Sequence, residues 1–118
     1  METEQQIAAV HQYMEAFEKA DIDIIKNLFA DNATVEDPVG SDVHDGIEAV
    51  VGFYETALEM GVKLALSGAP RCAGNSVAFP FKVEMPGMAI EIIDVFEFDD
   101  AGKVCKMKAY WGPDNVIS

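Results

Sequence analysis

The chain has 118 residues, enough for one domain spanning 1–118 that buries roughly 65% of its unfolded surface. Against 8 basic side chains stand 21 acidic ones, a net charge of −13 that repels nucleic-acid phosphates and anionic lipid and leaves a neutral or cationic small molecule as the better partner. No apolar run approaches the roughly 20 residues that span a bilayer, and the acidic, polar start METEQQ is unlike a secretory signal, so a cytoplasmic chain is expected.

The first predicted element is a helix. Thr3 and Gln6 make a capping-box pattern, and Ile7, Val10, Met14 and Phe17 recur at helical spacing, with Tyr13 at the edge of that stripe. Asp21 can cap a short second helix in IDIIKNLFA. A brief extended segment, ATVEDPVG, follows and ends in Asp37, Pro38 and Gly40. A third helix starts near Gly46 and carries Ile47, Val50, Val51, Tyr54 and Leu58 on one stripe.

From residue 62 the hydrophobic period changes to two. VKLALSG, SVAFPFKVEM, MAIEIIDVFEF and KVCKMKAYW read as strands, with turns at Pro86-Gly87 and across DDAG. Val77, Phe79, Phe81, Val83 and Met85 share one face of the second strand, and Cys105, Met107, Ala109 and Trp111 share one face of the last. Helices first, then antiparallel strands with short turns, predict an α+β fold in which three N-terminal helices pack on a curved sheet.

Three features bear on chemistry. In EIIDVFEF, Asp94 shares a face with Ile92, Phe96 and Phe98, so a carboxyl group sits on the predicted core side of a strand. Unpaired and ionised there it costs several kcal/mol, and a raised pKa that keeps it neutral is the usual escape. Either Asp94 pairs with a neighbour or it works as a neutral donor. In VEDP, Asp37 falls on the same side as Ala33 and Val35 while Glu36 points away; alone, the motif is better read as an Asp-Pro turn on a solvated surface, and something beyond it must decide. Tyr13 and Tyr54, taken singly, are packing residues with hydroxyls at the edge of an apolar stripe. Together with the two carboxyls they supply an acid, a base and an apolar pocket.

Cys72 and Cys105 cannot form a disulfide framework and lack the C-x-x-C spacing of a metal or redox pair. His11 and His44 show no helical ligand spacing, so no metal is expected. His11 lies outside the apolar stripe of its helix and His44 falls in a predicted loop.

LFADNATVEDPVG (28–40), GFYETAL (52–58), FPFKVEM (79–85) and IIDVFEFDDAGKVCKMKAYWG (92–112) together resemble the bacterial steroid Δ5-3-ketosteroid isomerases of the nuclear-transport-factor-like superfamily. The resemblance runs from the first helix to Trp111, with the blocks agreeing in order and spacing. It implies a cone-shaped fold on a mainly antiparallel mixed sheet, no cofactor, a homodimer, and a hydrophobic steroid enone as substrate. By position, Asp37 matches the general base, Tyr13 and Asp94 the two donors to the dienolate oxygen, and Tyr54 a tyrosine that supports the first. These roles belong to the family's known tuning of carboxyl groups and are not read from spacing. Trp111, Phe81, Val83 and Ile92 fall on pocket-lining positions, and Phe17, Phe79 and Met107 join them as expected substrate contacts. Phe29 stands where one branch of the family has a further tyrosine. A lyase or cyclase of the same superfamily, or a non-catalytic small-molecule binder, is the alternative; dehydratase relatives use a pocket histidine, which the expected places of His11 and His44 do not supply.

Overall fold

The face that α1 (Thr3–Lys19) buries is set as much by its small residues as by its large ones. In the computed structural model, which describes residues 1–118, that face is Gln6, Ala9, Val10, Tyr13, Ala16 and Phe17. Ile7 and Met14 are only half-buried. Tyr13 therefore stands at the centre of the stripe rather than at its edge, because two alanines and a buried glutamine complete the face. Gln6 is accommodated by donating from Nε2 to the Gly74 carbonyl at 2.9 Å, so it is not free to cap the helix. The cap falls one residue earlier than the sequence pattern suggests: Glu2 is the N-cap, and its N–H donates to Gln5 Oε1 at 3.0 Å.

Asp21 caps α2 (Ile22–Leu28) as expected, its Oδ1 accepting from the Asp23 N–H at 3.0 Å. Chain continuity then places Phe29 at once in β1 (Phe29–Glu36), whose alternation buries Ala33 and Val35 completely. The remaining elements are β2 (His44–Asp45), α3 (Ile47–Glu59), β3 (Lys63–Leu66), β4 (Arg71–Ala73), β5 (Ser76–Met85), β6 (Met88–Phe98), β7 (Val104–Tyr110), a single 3-10 turn (Pro113–Asn115) and β8 (Val116–Ile117). The short strands β2, β4 and β8 carry no pattern that two or three residues could reveal.

The strands form one sheet in the order β2-β1-β7-β6-β5-β3, with β4 pairing to β5 and β8 to β6. Every pairing is antiparallel except β1 with β7, which is parallel, so the sheet is mixed and mostly antiparallel. The three helices pack against one face of this curved sheet, an α+β architecture.

The hydrogen-bonded register explains how that covered face is divided. Rows run across β5, β6 and β7: Val77, Phe96 and Met107 make one row, and Phe79, Asp94 and Ala109 the next. Beyond Asp94, Phe81 stands opposite Ile92 and Val83 opposite Ile90. Rows on the Phe96 side are core; rows on the Ile92 side face a cavity. Phe96 is 0% exposed and lies 5.2 Å from the Tyr13 ring centroid and 5.0 Å from that of Phe79. Phe96→Ala empties this junction and is expected to lower the unfolding free energy by about 3–5 kcal/mol, measured by chemical denaturation.

One face assignment in β7 needs correction. Phe98 pairs with Val104 but Glu97 with Lys106, so Cys105 is an extra residue in a bulge. Val104, 0% exposed, takes the inward place that strict alternation gives to Cys105, and the Cys105 thiol points instead to the Glu97 carbonyl at 3.4 Å.

Candidate active site

A cavity of about 540 Å³ opens between α1, α3 and the Ile92 half of the sheet, within the range of small-molecule sites. Its wall includes Phe17, Phe53, Leu64, Phe81, Val83, Met85, Ile90 and Ile92, and 14 of its 18 residues are hydrophobic, so it favours an apolar ligand. Tyr13, Asp37, His44, Tyr54 and Trp111 supply polar groups to that wall.

Asp37 follows the last residue of β1, carried toward the cavity by the same alternation that buries Ala33 and Val35. Glu36 points the other way, its Oε2 accepting from the Gly40 N–H at 2.9 Å. The peptide bond from Asp37 to Pro38 is cis, and Val39 donates its N–H to the Ala109 carbonyl at 2.9 Å, which ties the segment to the end of β7. Two residues further along that strand direction, Trp111 Nε1 donates to Asp37 Oδ1 at 2.7 Å. Partial burial raises the Asp37 pKa above the ordinary carboxylate value; the Trp111 bond and the nearby His44 pull it back.

Tyr13 and Tyr54 meet deeper in the molecule. Their hydroxyls are 3.0 Å apart and share one hydrogen bond, and both side chains are nearly inaccessible. Tyr13 is gripped edge-on by Phe17, Tyr54, Phe79 and Phe96, with ring centroids 5.2–6.0 Å away. Burial, before any neighbouring charge, pushes both phenols well above their usual pKa, so both stay protonated. Phe29 packs on Tyr54 at 5.4 Å and offers no further hydroxyl.

Asp94 is 1% exposed, and neither of its carboxyl oxygens has a hydrogen-bond partner. Burial first, and then the charge of Asp37, raise its pKa well above the carboxylate range. The Tyr13 hydroxyl offsets this in part without closing to a hydrogen bond. Burial therefore favours the neutral form of Asp94, in which the carboxyl carries an O–H donor with no acceptor in reach. It occupies the row that separates core from cavity, between Phe79 and Ala109, one row behind the lining pair Phe81 and Ile92.

Of the expected substrate contacts, Phe17, Phe81, Val83, Ile92 and Trp111 line the cavity. Phe79 and Met107 do not: both are 0% exposed, Phe79 in the boundary row and Met107 opposite Phe96 in the core half. Facing inward was not enough to reach the cavity. His44 departs from expectation the other way. It lies in β2, opposite Val35, with its ring 4.6 Å from that of Phe53, and it lines the cavity. A two-residue strand leaves no sequence signal for this, whereas Phe53 and Ala57, four apart in α3, could have been read as a widening of the apolar stripe toward a pocket. No group of three or more His, Cys, Asp or Glu side chains is placed to hold a metal ion, and no helix is long and apolar enough to cross a membrane.

Comparisons with known proteins agree with this fold. The steroid Delta-isomerase of Nocardioides simplex is 34% identical over 114 residues, which cover 93% of this chain and 92% of that protein. Among solved structures, the epoxide hydrolase/cyclase-like enzyme SalBIII, implicated in pyran ring formation in the polyether salinomycin, superposes with a TM-score of 0.90 at 31% identity, covering 98% of each chain. Isomerase and cyclase chemistries thus both occur among proteins similar to this one. With residues 10–107 matching the model of the SnoaL-like domain, the chain belongs to the SnoaL-like family.

Proposed function

We propose that the protein is a steroid Δ-isomerase, converting a 3-oxo-Δ5 steroid into its conjugated 3-oxo-Δ4 isomer. The observation that carries this reading is the pairing of one anchored carboxyl, Asp37, with two groups that burial favours in their protonated forms, Tyr13 on the wall of an apolar cavity and Asp94 in the row directly behind that wall.

In this mechanism Asp37 takes a proton from the carbon between the ketone and the double bond. The released electron pair forms a new carbon–carbon double bond, and the ketone π electrons move onto oxygen, giving a dienolate. Tyr13 and Asp94 donate to that oxygen in a site with little water, where such bonds stabilise developing charge most. Asp37 then returns the proton to the far end of the original double bond, and the carbonyl re-forms. No group outside the chain is consumed. Trp111 holds the carboxylate in place, and Tyr54 orients the Tyr13 hydroxyl.

The decisive assay follows the enone absorbance of 5-androstene-3,17-dione; conversion no faster than in buffer would overturn the proposal. Tyr54→Phe is expected to keep the fold while removing one hydrogen bond from Tyr13, lowering kcat roughly 2- to 12-fold. Equilenin, a planar phenolic steroid shaped like the dienolate, separates catalyst from simple binder: tight binding weakened by Asp94→Ala supports the isomerase.

A lyase or cyclase is the second reading, favoured by His44 on the cavity wall and by the likeness to SalBIII. A cytoplasmic homodimer completes the proposal. Ile93 and Tyr110, 48% and 47% exposed, form a cross-strand pair on the outer sheet face and suit such an interface; sedimentation as a monomer at micromolar concentration would remove that part.

A further inference from the structure

Two carboxyl groups serve one site, and only one of them can usefully be ionised. Like charges in a poorly solvated setting disfavour each other, and Asp37 and Asp94 do interact in this way. Something must decide which carboxyl loses its proton. Differences in burial favour Asp37, which is half-buried, over Asp94, which is closed off. The Trp111 bond adds to the bias.

A third contribution comes from the cavity wall itself. None of its 18 residues is lysine or arginine, so His44 is the one side chain there able to carry positive charge. Its place is fixed from two sides: β2 pairs it with Val35, two residues before Asp37, and its ring rests on Phe53. The other charged groups of this corner are Asp42 and Asp45 beside it in sequence, Glu36 on β1, Glu48 and Glu55 on α3, and Lys108 opposite Glu36 on β7. Asp42, Asp45, Glu48 and Glu55 are exposed, Glu36 is tied to the Gly40 amide, and none of these groups lines the cavity.

We propose that His44 is a positioning residue for Asp37, its positive charge selecting Asp37 rather than Asp94 as the ionised carboxyl of the site. A neighbouring cation favours the carboxylate, and the pull of His44 on Asp37 has that sign. The catalytic consequence rests on the isomerase reading; the electrostatic selection does not.

The test titrates the free protein and follows the carboxyl carbon of Asp37 by NMR, identified by its absence in Asp37→Asn. In His44→Gln the Asp37 midpoint is expected to rise by roughly half a unit to one unit, and in His44→Lys to return to the wild-type value or below it. The acid limb of kcat/KM moves with it, a shift that a merely structural role for the ring does not produce. An unchanged midpoint in His44→Gln overturns the proposal. So does an equal rise in both variants, since that reports lost shape and not lost charge. If the midpoints move as expected but the wild-type protein isomerises no steroid, the isomerase reading falls and the selection stands.

Discussion

Asp37→Asn is expected to lower kcat/KM for 3-oxo-Δ5 steroids by about 10²–10⁴-fold while leaving equilenin binding and the fold intact. The substitution keeps an oxygen that can accept from Trp111 Nε1, so the segment after β1 stays where it is and only the basicity is lost. The wild-type pH profile should show the same group. A protonated Asp37 cannot accept a proton from carbon, so activity falls as pH drops through its midpoint. Burial places that midpoint above the value for an ordinary aspartate. Stopped-flow or steady-state rates at the enone absorbance, measured from acid to neutral pH, check both statements. Full activity in Asp37→Asn would remove the base from the mechanism.

Asp94 is expected to trade stability for function, and its two effects separate by variant. Its folded pKa lies well above the unfolded value of about 3.9, so between those two values the folded state binds more protons than the unfolded chain. Stability from this group is complete below about pH 4 and declines as pH rises, at about 1.4 kcal/mol per pH unit, until the folded midpoint is reached. Asp94→Asn cannot titrate and removes that slope. The variant should match the wild type near pH 4 and exceed it in denaturant midpoint at pH 7, by a margin that grows with pH. A margin independent of pH would show that Asp94 is not a buried neutral acid. Asp94→Ala removes the donor altogether and should lower kcat by about 10²–10³-fold. An ordinary core position does not behave this way, because replacing a well-packed side chain costs stability at every pH.

The two carboxyls differ for reasons that lie in their neighbours. Asp37 has an indole N–H at 2.7 Å, a histidine nearby and partial access to water; Asp94 has aromatic rings and a methyl group around it and no closed hydrogen bond. In the proposed mechanism the same chemical group thereby serves as a base in one place and as a donor in the other.

Much of this was written in the sequence. Strict alternation in EIIDVFEF determines that Asp94 faces inward, since successive side chains of a strand must point to opposite sides, and the burial of Ile92, Asp94, Phe96 and Phe98 follows it residue by residue. The same rule turns Asp37 inward and Glu36 outward, and Asp21 caps its helix through local geometry alone. Periodicity names a face but not what stands opposite it. Only the tertiary structure decides that one sheet face is half core and half cavity, which keeps Phe79 and Met107 off the cavity wall while leaving Phe81 and Ile92 on it. Pairing of β2 with β1 brings His44 to the wall, and two alanines and a buried glutamine turn α1 so that Tyr13 meets Tyr54. These outcomes depend on contacts between segments far apart in the chain, which local patterns of hydrophobicity do not encode.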